Sequence, residues 1–353
     1  MNDGPFVGLA LITLAGISTA CFYAPFKKVS GWTWETYWLV FGCTSWIIGP
    51  WLAAWLTVPE LGQVLADTPP RALVRTCMFG ALWGVGSLTG GLALRSLGLS
   101  LGWAIPLGIC AAVGTLVPPA VKGELPELLS TQSGQITLAS VLVGLVGIAI
   151  CAKAGVAKDR ELSTEQKLES VSEFNLQRGL WLSVLSGVMS ACMAFGLTAG
   201  EPIAASALAH GTSKVWQNTP PFAVILLGGF LTNATWCLML SIRNHNTREF
   251  VQGSGPRLGM NYALCILAGG LWYLQPMFYG MGRTKMGKYD FSSWSVLMVC
   301  IIIFSNVWGL IFREWAGTSR TTKTWLALGL GVLAISATMT GYGSYLAPPD
   351  VSQ

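Results

Sequence analysis

One segment of the chain places two aromatic rings and an amide on the same side of an apolar helix. Trp272, Gln275 and Tyr279 stand at i, i+3 and i+7, a spacing that brings side chains to one face of an α-helix. An amide in apolar surroundings is costly unless it is hydrogen-bonded. Gln275 is therefore expected either to contact an uncharged polar ligand beside the two rings, or to bond a serine or threonine of a neighbouring helix.

Ionisable residues are rare in the apolar part of the chain. Glu35, Asp290 and Glu201 stand at the ends of apolar runs, and carboxylates in or near membrane helices are candidates for proton transfer because burial favours their neutral form. Asp290 could equally cap a helix N-terminus, and Glu35 could stabilise the start of a helix. The two histidines, His210 and His245, fall in loops and are not expected to relay protons.

Residues that could hold a metal or perform covalent chemistry are not clustered in the sequence. The nine cysteines are spread along the chain without a Cys-x-x-Cys pair, so neither a disulfide framework nor a zinc site is predicted. A membrane enzyme would need clustered acids, histidines or a nucleophile beside a base. Two isolated histidines do not meet this need, and the sequence predicts no enzyme activity.

The composition is that of a membrane protein. Hydrophobic residues make up 52% of the 353 and charged residues 10%, with a mean hydropathy of +0.56, whereas about a quarter of the residues in soluble domains are charged. A bilayer core of about 30 Å needs about 20 apolar residues per helix. We therefore predict an all-α integral membrane protein with ten transmembrane helices, near 4–24, 36–57, 73–94, 99–121, 136–155, 179–199, 220–242, 259–281, 291–312 and 324–346.

Basic residues are divided unequally between alternate connections. About two thirds of the 21 lysines and arginines face the same side when both termini are placed outside, including Lys27 and Lys28. Positive residues favour the cytoplasmic side, so both termini are predicted to be extracytoplasmic. The basic residues are scattered over the connections, which gives no indication of a nucleic-acid partner.

The two halves of the chain share a pattern. The charged segment 156–178 separates five spans from five and is predicted to be a solvated cytoplasmic linker. GISTAC (16–21) is matched by GVMSAC (187–192), and GALW (80–83) by GGLW (269–272). Because each half has an odd number of spans, the second copy is inverted. The sequence predicts two inverted five-helix repeats, 1–155 and 179–353, that form one transport unit of the kind found in alternating-access carriers.

Several blocks of sequence are similar to those of a known family. They resemble the bacterial L-rhamnose–proton symporters of the drug/metabolite transporter superfamily. The blocks are ACFYAPFKKV (20–29), WTWETYW (32–38), FGALWGVG (79–86), LGLSLG (97–102), VGTLVPP (113–119), WYLQ (272–275), YDFSSW (289–294) and REW (313–315). The resemblance implies ten spans, a sugar substrate and protons as the coupling ion without another cofactor. In the bacterial inner membrane, the extracytoplasmic termini predicted from the basic residues are periplasmic. SLTGG (87–91), Trp103 and Pro106 depart from the family pattern, in helices expected to line the cavity.

With a sugar as the expected ligand, candidate residues can be assigned. Aromatic rings suit its C–H faces, and amides or hydroxyls suit its oxygens. The expected substrate-binding residues are Gln275, Trp272, Tyr279, Trp83, Ser87, Tyr23 and Phe22. Asp290, in a block that matches the family, ranks first for proton coupling and Glu35 second. Lys27 and Lys28 either face lipid headgroups at the end of the first span or close an inward gate with Glu35.

These observations favour proton-coupled import of L-rhamnose or a similar deoxyhexose by alternating access. A carrier for a different sugar or small metabolite, with or without proton coupling, is the alternative. The expected partners are a small neutral sugar and membrane lipid, with no obligatory protein partner.

Overall fold

The computed structural model describes residues 4–161, 176–252, 255–287, 292–311 and 315–346. All regular structure within these residues is helical. The α-helices are α1 Gly4–Cys21, α2 Trp34–Gly42, α3 Gly49–Thr57, α4 Leu61–Asp67, α5 Pro70–Lys122, α6 Leu125–Ser130, α7 Gln132–Glu161, α8 Leu176–Ala199, α9 Glu201–Ala209, α10 Thr219–Arg243, α11 Gly255–Arg283, α12 Ser293–Ile311 and α13 Arg320–Leu346. A π-helical turn, Cys43–Ile48, joins α2 to α3, and 3₁₀ turns cover Pro25–Lys28, Lys214–Trp216 and Thr247–Phe250.

Most of the predicted spans coincide with helices long and apolar enough to cross a bilayer. Within the described residues there are 8 such stretches: Gly4–Lys28, Trp34–Thr57, Pro70–Ala93, Ile105–Lys122, Gln132–Lys158, Gln177–Ala209, Lys214–Arg243 and Arg320–Gly343. The other two predicted spans coincide with α11, in which Asn261 and Gln275 lower the hydropathy, and with α12. The chain is therefore a multi-pass helical membrane protein.

Helix α5 differs from the expectation of two spans joined by a short connection. It is continuous over 53 residues and covers the predicted spans at 73–94 and 99–121. The connecting residues 95–98 contain no proline, and a single glycine does not stop a helix. Pro106, Pro118 and Pro119 lie inside the second part of the same helix.

The chain folds into two compact units, each drawn from both halves of the sequence. The first unit comprises Met1–Ile17, Gly86–Ala194 and Gly282–Gln353, and the second comprises Ser18–Val85 and Phe195–Met281. The boundaries fall inside helices α1, α5, α8 and α11.

Small and hydroxyl-bearing residues bring helices together in the first unit. The hydroxyls of Ser140 on α7 and Thr340 on α13 lie 2.7 Å apart, and the Ser336 hydroxyl donates to the Ser140 carbonyl at 2.8 Å. Between α8 and α5, the Ser186 hydroxyl donates to the carbonyl of Gly86 at 2.8 Å. Such contacts are typical of helix association in lipid.

The end of α7 is fixed to the start of α13 by one exposed carboxylate. Glu161 accepts hydrogen bonds from the hydroxyls of Ser319 and Thr322 and from the backbone N–H of Ser319, each at 2.6 Å. It thereby satisfies donor groups at a helix N-terminus from outside the helix. The Ser319 hydroxyl and then the Thr322 hydroxyl hold the pKa of Glu161 below its usual 4.5.

In the second unit, α5 and α10 meet backbone to backbone. A Cβ placed at Gly84 would lie 2.9 Å from the carbonyl oxygen of Gly229, and one at Gly228 would lie 2.8 Å from the backbone nitrogen of Ala81. The side chain of Asn233 on α10 spans this contact, donating to the carbonyl of Gly84 at 3.3 Å. Glycines therefore permit the close approach of these two helices.

Candidate functional site

Aromatic rings of the second unit pack around the indole of Trp46. Its ring centroid lies 5.4 Å from that of Phe41, 5.6 Å from that of Trp83 and 6.0 Å from that of Trp272. The rings of Trp83 and Trp272 lie 5.7 Å apart, and Phe22 stacks on Phe41 at 5.4 Å. The structure thus brings together three of the predicted substrate-binding residues, Trp272, Trp83 and Phe22, around two residues that the sequence did not indicate.

Glycines set the positions of two of these rings. A Cβ at Gly42, one turn before Trp46, would lie 2.9 Å from its ring carbons Cε3 and Cζ3. A Cβ at Gly229 would lie 2.5 Å from the same atoms of Trp83. Any larger residue at either position would displace an indole by several tenths of an ångström. Glycine at these two positions therefore leaves the space that the indoles of Trp46 and Trp83 occupy.

The amide of Gln275 lies one turn after Trp272 on α11 and is half-buried. Within the described part of the chain it has no hydrogen-bond partner, so the bond to a serine or threonine considered above is not formed there. Pro276 lies inside the same helix and has no N–H to donate to the carbonyl of Trp272. This turn consequently presents two amide donors, an amide acceptor and a backbone acceptor beside an indole face.

The other predicted substrate-binding residues have varied surroundings. Tyr279 is 2% exposed, and its ring meets Phe222 edge to face at 6.3 Å. Tyr23 is half-buried, with its ring 4.8 Å from that of Phe22. Ser87 is half-buried on α5 and belongs to the first unit. Asp290, the first-ranked candidate for proton coupling, lies outside the described residues.

Glu35 is 7% exposed at the start of α2. Its Oε1 accepts hydrogen bonds from Asn244 Nδ2 at 2.8 Å and from Asn246 Nδ2 at 2.7 Å. Both donors come from the connection that follows α10. Two N–H donors aimed at one oxygen suit an ionised carboxylate, and they fix the beginning of α2 to this connection.

A second carboxylate, which the sequence did not indicate, completes the attachment of α2. Glu249 Oε2 accepts from the backbone N–H of Thr33 at 2.7 Å, from the Thr33 hydroxyl at 3.0 Å and from the Thr36 hydroxyl at 2.8 Å. Asn246 Nδ2 also donates to the Thr33 hydroxyl at 2.8 Å. Because Glu249 lies in a short 3₁₀ turn without apolar periodicity, no local pattern indicates its role as a cap for a distant helix.

The turn between α1 and α2 is held by a third set of contacts. Ser30 exchanges two hydrogen bonds with the side-chain amide of Asn261, at 3.2 Å and 2.9 Å. We call Ser30, Thr33, Glu35, Asn244, Asn246, Glu249 and Asn261 the polar clamp. It joins the first connection of the second unit to the one between α10 and α11.

The two lysines before this clamp are exposed. Lys27 and Lys28 end the 3₁₀ turn Pro25–Lys28, and within the described residues no ion pair joins Lys28 to Glu35. The carboxylate is bound by Asn244 and Asn246 instead. Exposed lysines at the end of an apolar helix suit contact with anionic lipid headgroups.

Two short helices of the second unit are joined by a contact between a histidine and an aspartate. His210 Nε2 after α9 lies 3.1 Å from Asp67 Oδ2 at the end of α4. The Ser206 hydroxyl donates to the carbonyl of Val64 at 2.9 Å beside it. In the described part of the chain, no three His, Cys, Asp or Glu side chains lie close enough together to hold a metal ion.

Comparison with known proteins covers almost the whole chain. Residues 1–346 match the family model described as L-rhamnose-proton symport protein (RhaT). The chain is 36% identical over 346 residues to an L-rhamnose-proton symporter of Klebsiella pneumoniae, a match that covers 97% of this chain and 99% of the relative. It is 34% identical over the same length to an L-rhamnose-proton symporter of Yersinia pestis, again with 97% and 99% coverage.

Proposed function

This chain belongs to the L-rhamnose–proton symporter family, and from that premise we propose that it imports L-rhamnose or a similar deoxyhexose together with protons. The family is one of transporters and not of enzymes. Relatives that bear this name are matched over 99% of their own length.

The observation that carries the sugar assignment is the unpaired amide of Gln275 beside the indoles of Trp272 and Trp83. A deoxyhexose has hydroxyls that need donors and acceptors, and it has C–H faces and a methyl group that need apolar contacts. Gln275 and the carbonyl of Trp272 supply hydrogen-bond donors and acceptors, and the two indoles, 5.7 Å apart, supply the apolar contacts. We propose that Tyr279, Tyr23 and Phe22, which belong to the same unit, complete the site.

The proposed architecture is ten transmembrane helices in two inverted repeats, 1–155 and 179–353, joined by the cytoplasmic linker 156–178. The positions of the unit boundaries support it. They fall after Ile17 in α1 and after Ala194 in α8, and again after Val85 in α5 and after Met281 in α11. The two pairs of repeated motifs, GISTAC with GVMSAC and GALW with GGLW, mark the same two pairs of helices. Corresponding spans thus change unit in both halves, as a repeat requires.

We propose Asp290 as the residue that carries the coupled proton. The amide donors around Glu35 favour the structural role that the sequence also allowed for that residue. One charge that crosses a potential of ~100 mV gains about 2.3 kcal/mol, which corresponds to about fiftyfold accumulation of sugar. Protonation from the periplasm would stabilise the loaded, outward-open state, and deprotonation inside would allow release.

The proposed location is the bacterial inner membrane with both termini in the periplasm. The asymmetry of the basic residues supports it. In this orientation Lys27, Lys28 and the polar clamp lie at the cytoplasmic end of the second unit.

Uptake of labelled sugar into proteoliposomes tests the proposal. We expect L-rhamnose to accumulate when an inward proton gradient is imposed, and accumulation to disappear with a protonophore. L-mannose, which carries a hydroxyl in place of the methyl hydrogen of L-rhamnose, should compete more weakly. Uptake that is unaffected by the gradient and the protonophore would contradict the coupling, and stronger competition by L-mannose would contradict the preference for a deoxyhexose.

The binding site is tested with two glutamine variants. Gln275→Ala should abolish detectable L-rhamnose binding by purified protein, because alanine has no amide to bond the sugar hydroxyls. Gln63→Ala, at an exposed position of α4, is the matched control and should bind as the unmodified chain does. Normal binding by Gln275→Ala would remove this residue from the site.

A further inference from the structure

The indole N–H of Trp46 is buried without an acceptor. The side chain is 1% exposed, and among the described residues Nε1 has no hydrogen-bond partner and almost no contact with solvent. An indole nitrogen can only donate. Its N–H direction is fixed by the ring, so it cannot turn towards a nearby acceptor as a hydroxyl can. A buried donor that remains unpaired is unfavourable and rare in folded proteins, and it calls for a specific explanation.

Two other buried tryptophans in the described part of the chain do have an acceptor. Trp38, two turns earlier, is 7% exposed and donates from Nε1 to Asn233 Oδ1 at 3.0 Å. Trp294 in the first unit is 4% exposed and donates to the carbonyl of Cys110 at 3.2 Å. The fold therefore provides an acceptor for each of these two indoles. It provides none for Trp46.

Trp46 also occupies an unusual backbone segment. It lies inside the π-helical turn Cys43–Ile48, and such turns are frequently found at functional sites. Its ring meets those of Trp83 and Trp272 edge to face, at interplanar angles of 87° and 83°. Gly42 leaves the space that the ring needs. The unpaired donor is thus held against the two indoles already proposed to contact the sugar.

We propose that Trp46 is a substrate-binding residue whose Nε1 donates a hydrogen bond to a hydroxyl oxygen of the sugar in the loaded carrier. This inference rests on the proposed function and adds a donor that the sequence did not indicate. Because Nε1 is shielded from solvent in this structure, the sugar reaches it only when the rings packed around Trp46 move apart. The hydrogen bond then forms in the loaded state alone, so that sugar binding favours the opened cluster.

Removal of the N–H with the ring retained tests the inference. Trp46→Phe and replacement of Trp46 by the isosteric benzothienylalanine, in which sulfur stands for N–H, are compared with the matched control Trp38→Phe. Calorimetry measures the affinity of each purified carrier for L-rhamnose and for its 2-, 3- and 4-deoxy derivatives. The benzothienyl side chain keeps the shape of the cluster should phenylalanine prevent folding.

We expect both Trp46 variants to bind L-rhamnose about tenfold more weakly. One of the three monodeoxy sugars should bind the unmodified carrier about tenfold more weakly than L-rhamnose does. The affinity for that sugar should not fall further in the Trp46 variants. Trp38→Phe should keep the ranking of the four sugars while its melting temperature falls. Normal affinity of the benzothienyl variant, or an equal loss for every sugar, would overturn the inference. Failure of the unmodified carrier to bind any of these sugars would instead refute the proposed function.

Discussion

The role of Glu35 can be decided by comparing its replacement by glutamine with its replacement by alanine. Glutamine keeps an oxygen at the position of Oε1, where Asn244 and Asn246 donate at 2.8 and 2.7 Å. Alanine removes the acceptor of both bonds. Only the charge and the capacity to carry a proton are lost in the first variant, whereas the attachment of α2 is lost in the second.

The expected energies follow from the number of these bonds. A hydrogen bond to a charged group contributes about 1.5–3 kcal/mol and a neutral one about 0.5–1.5 kcal/mol. Two bonds that become neutral should therefore lower the free energy of unfolding by about 2 kcal/mol in Glu35→Gln. Glu35→Ala loses both charge-assisted bonds, so a loss of about 3–5 kcal/mol is expected.

Stability and coupling are measured on the same preparations. The free energy of unfolding is obtained by denaturant titration in micelles, and sugar accumulation is measured in proteoliposomes under an imposed proton gradient. We expect Glu35→Gln to retain accumulation despite its lower stability. Lys28→Ala is the control for the ion pair that the sequence suggested, and it should change neither quantity.

One result would contradict the structural role of Glu35. If Glu35→Gln were as stable as the unmodified chain but could no longer concentrate sugar, the carboxylate would be the proton carrier and its bonds to the asparagines would be incidental.

Three further predictions concern other parts of the chain. Asp290→Asn should bind L-rhamnose normally in calorimetry but fail to concentrate it in proteoliposomes, and normal accumulation would transfer the coupling role to another acid. Gly269→Ala should lower the melting temperature because its Cβ would lie 2.7 Å from Thr44 Cβ, whereas Gly270→Ala, with no atom within 4 Å, should leave it unchanged or raise it; equal effects would contradict the packing of α11. Glu161 has a pKa held below 4.5, so its contribution to stability is present above that pH and is lost as the pH falls further. In Glu161→Gln, the free energy of unfolding should decrease less at low pH than in the unmodified chain. An unchanged dependence on pH would contradict the capping role of Glu161.

Many residues of the candidate site could be predicted from the sequence, but the contacts between them could not. The spacing of Trp272, Gln275 and Tyr279 defines a helix face because the helical repeat is local. That Trp83 meets Trp272 depends on the packing of α5 with α11, which no local spacing specifies. The same holds for Asn246, which contacts Glu35 across 211 positions of sequence.

The membrane class, the helical content, the family and the candidate face on α11 could all be predicted from the amino-acid sequence. These follow from composition, from a period of 3.6 residues and from motifs that are read along the chain. Only the tertiary structure decided that α5 is one helix of 53 residues, that Trp46 lies at the centre of the aromatic cluster without an acceptor, and that asparagines bind Glu35. The reason is that lipid is as apolar as a helix interface, so hydrophobic pattern alone does not distinguish the face of a membrane helix that packs from the face that meets lipid.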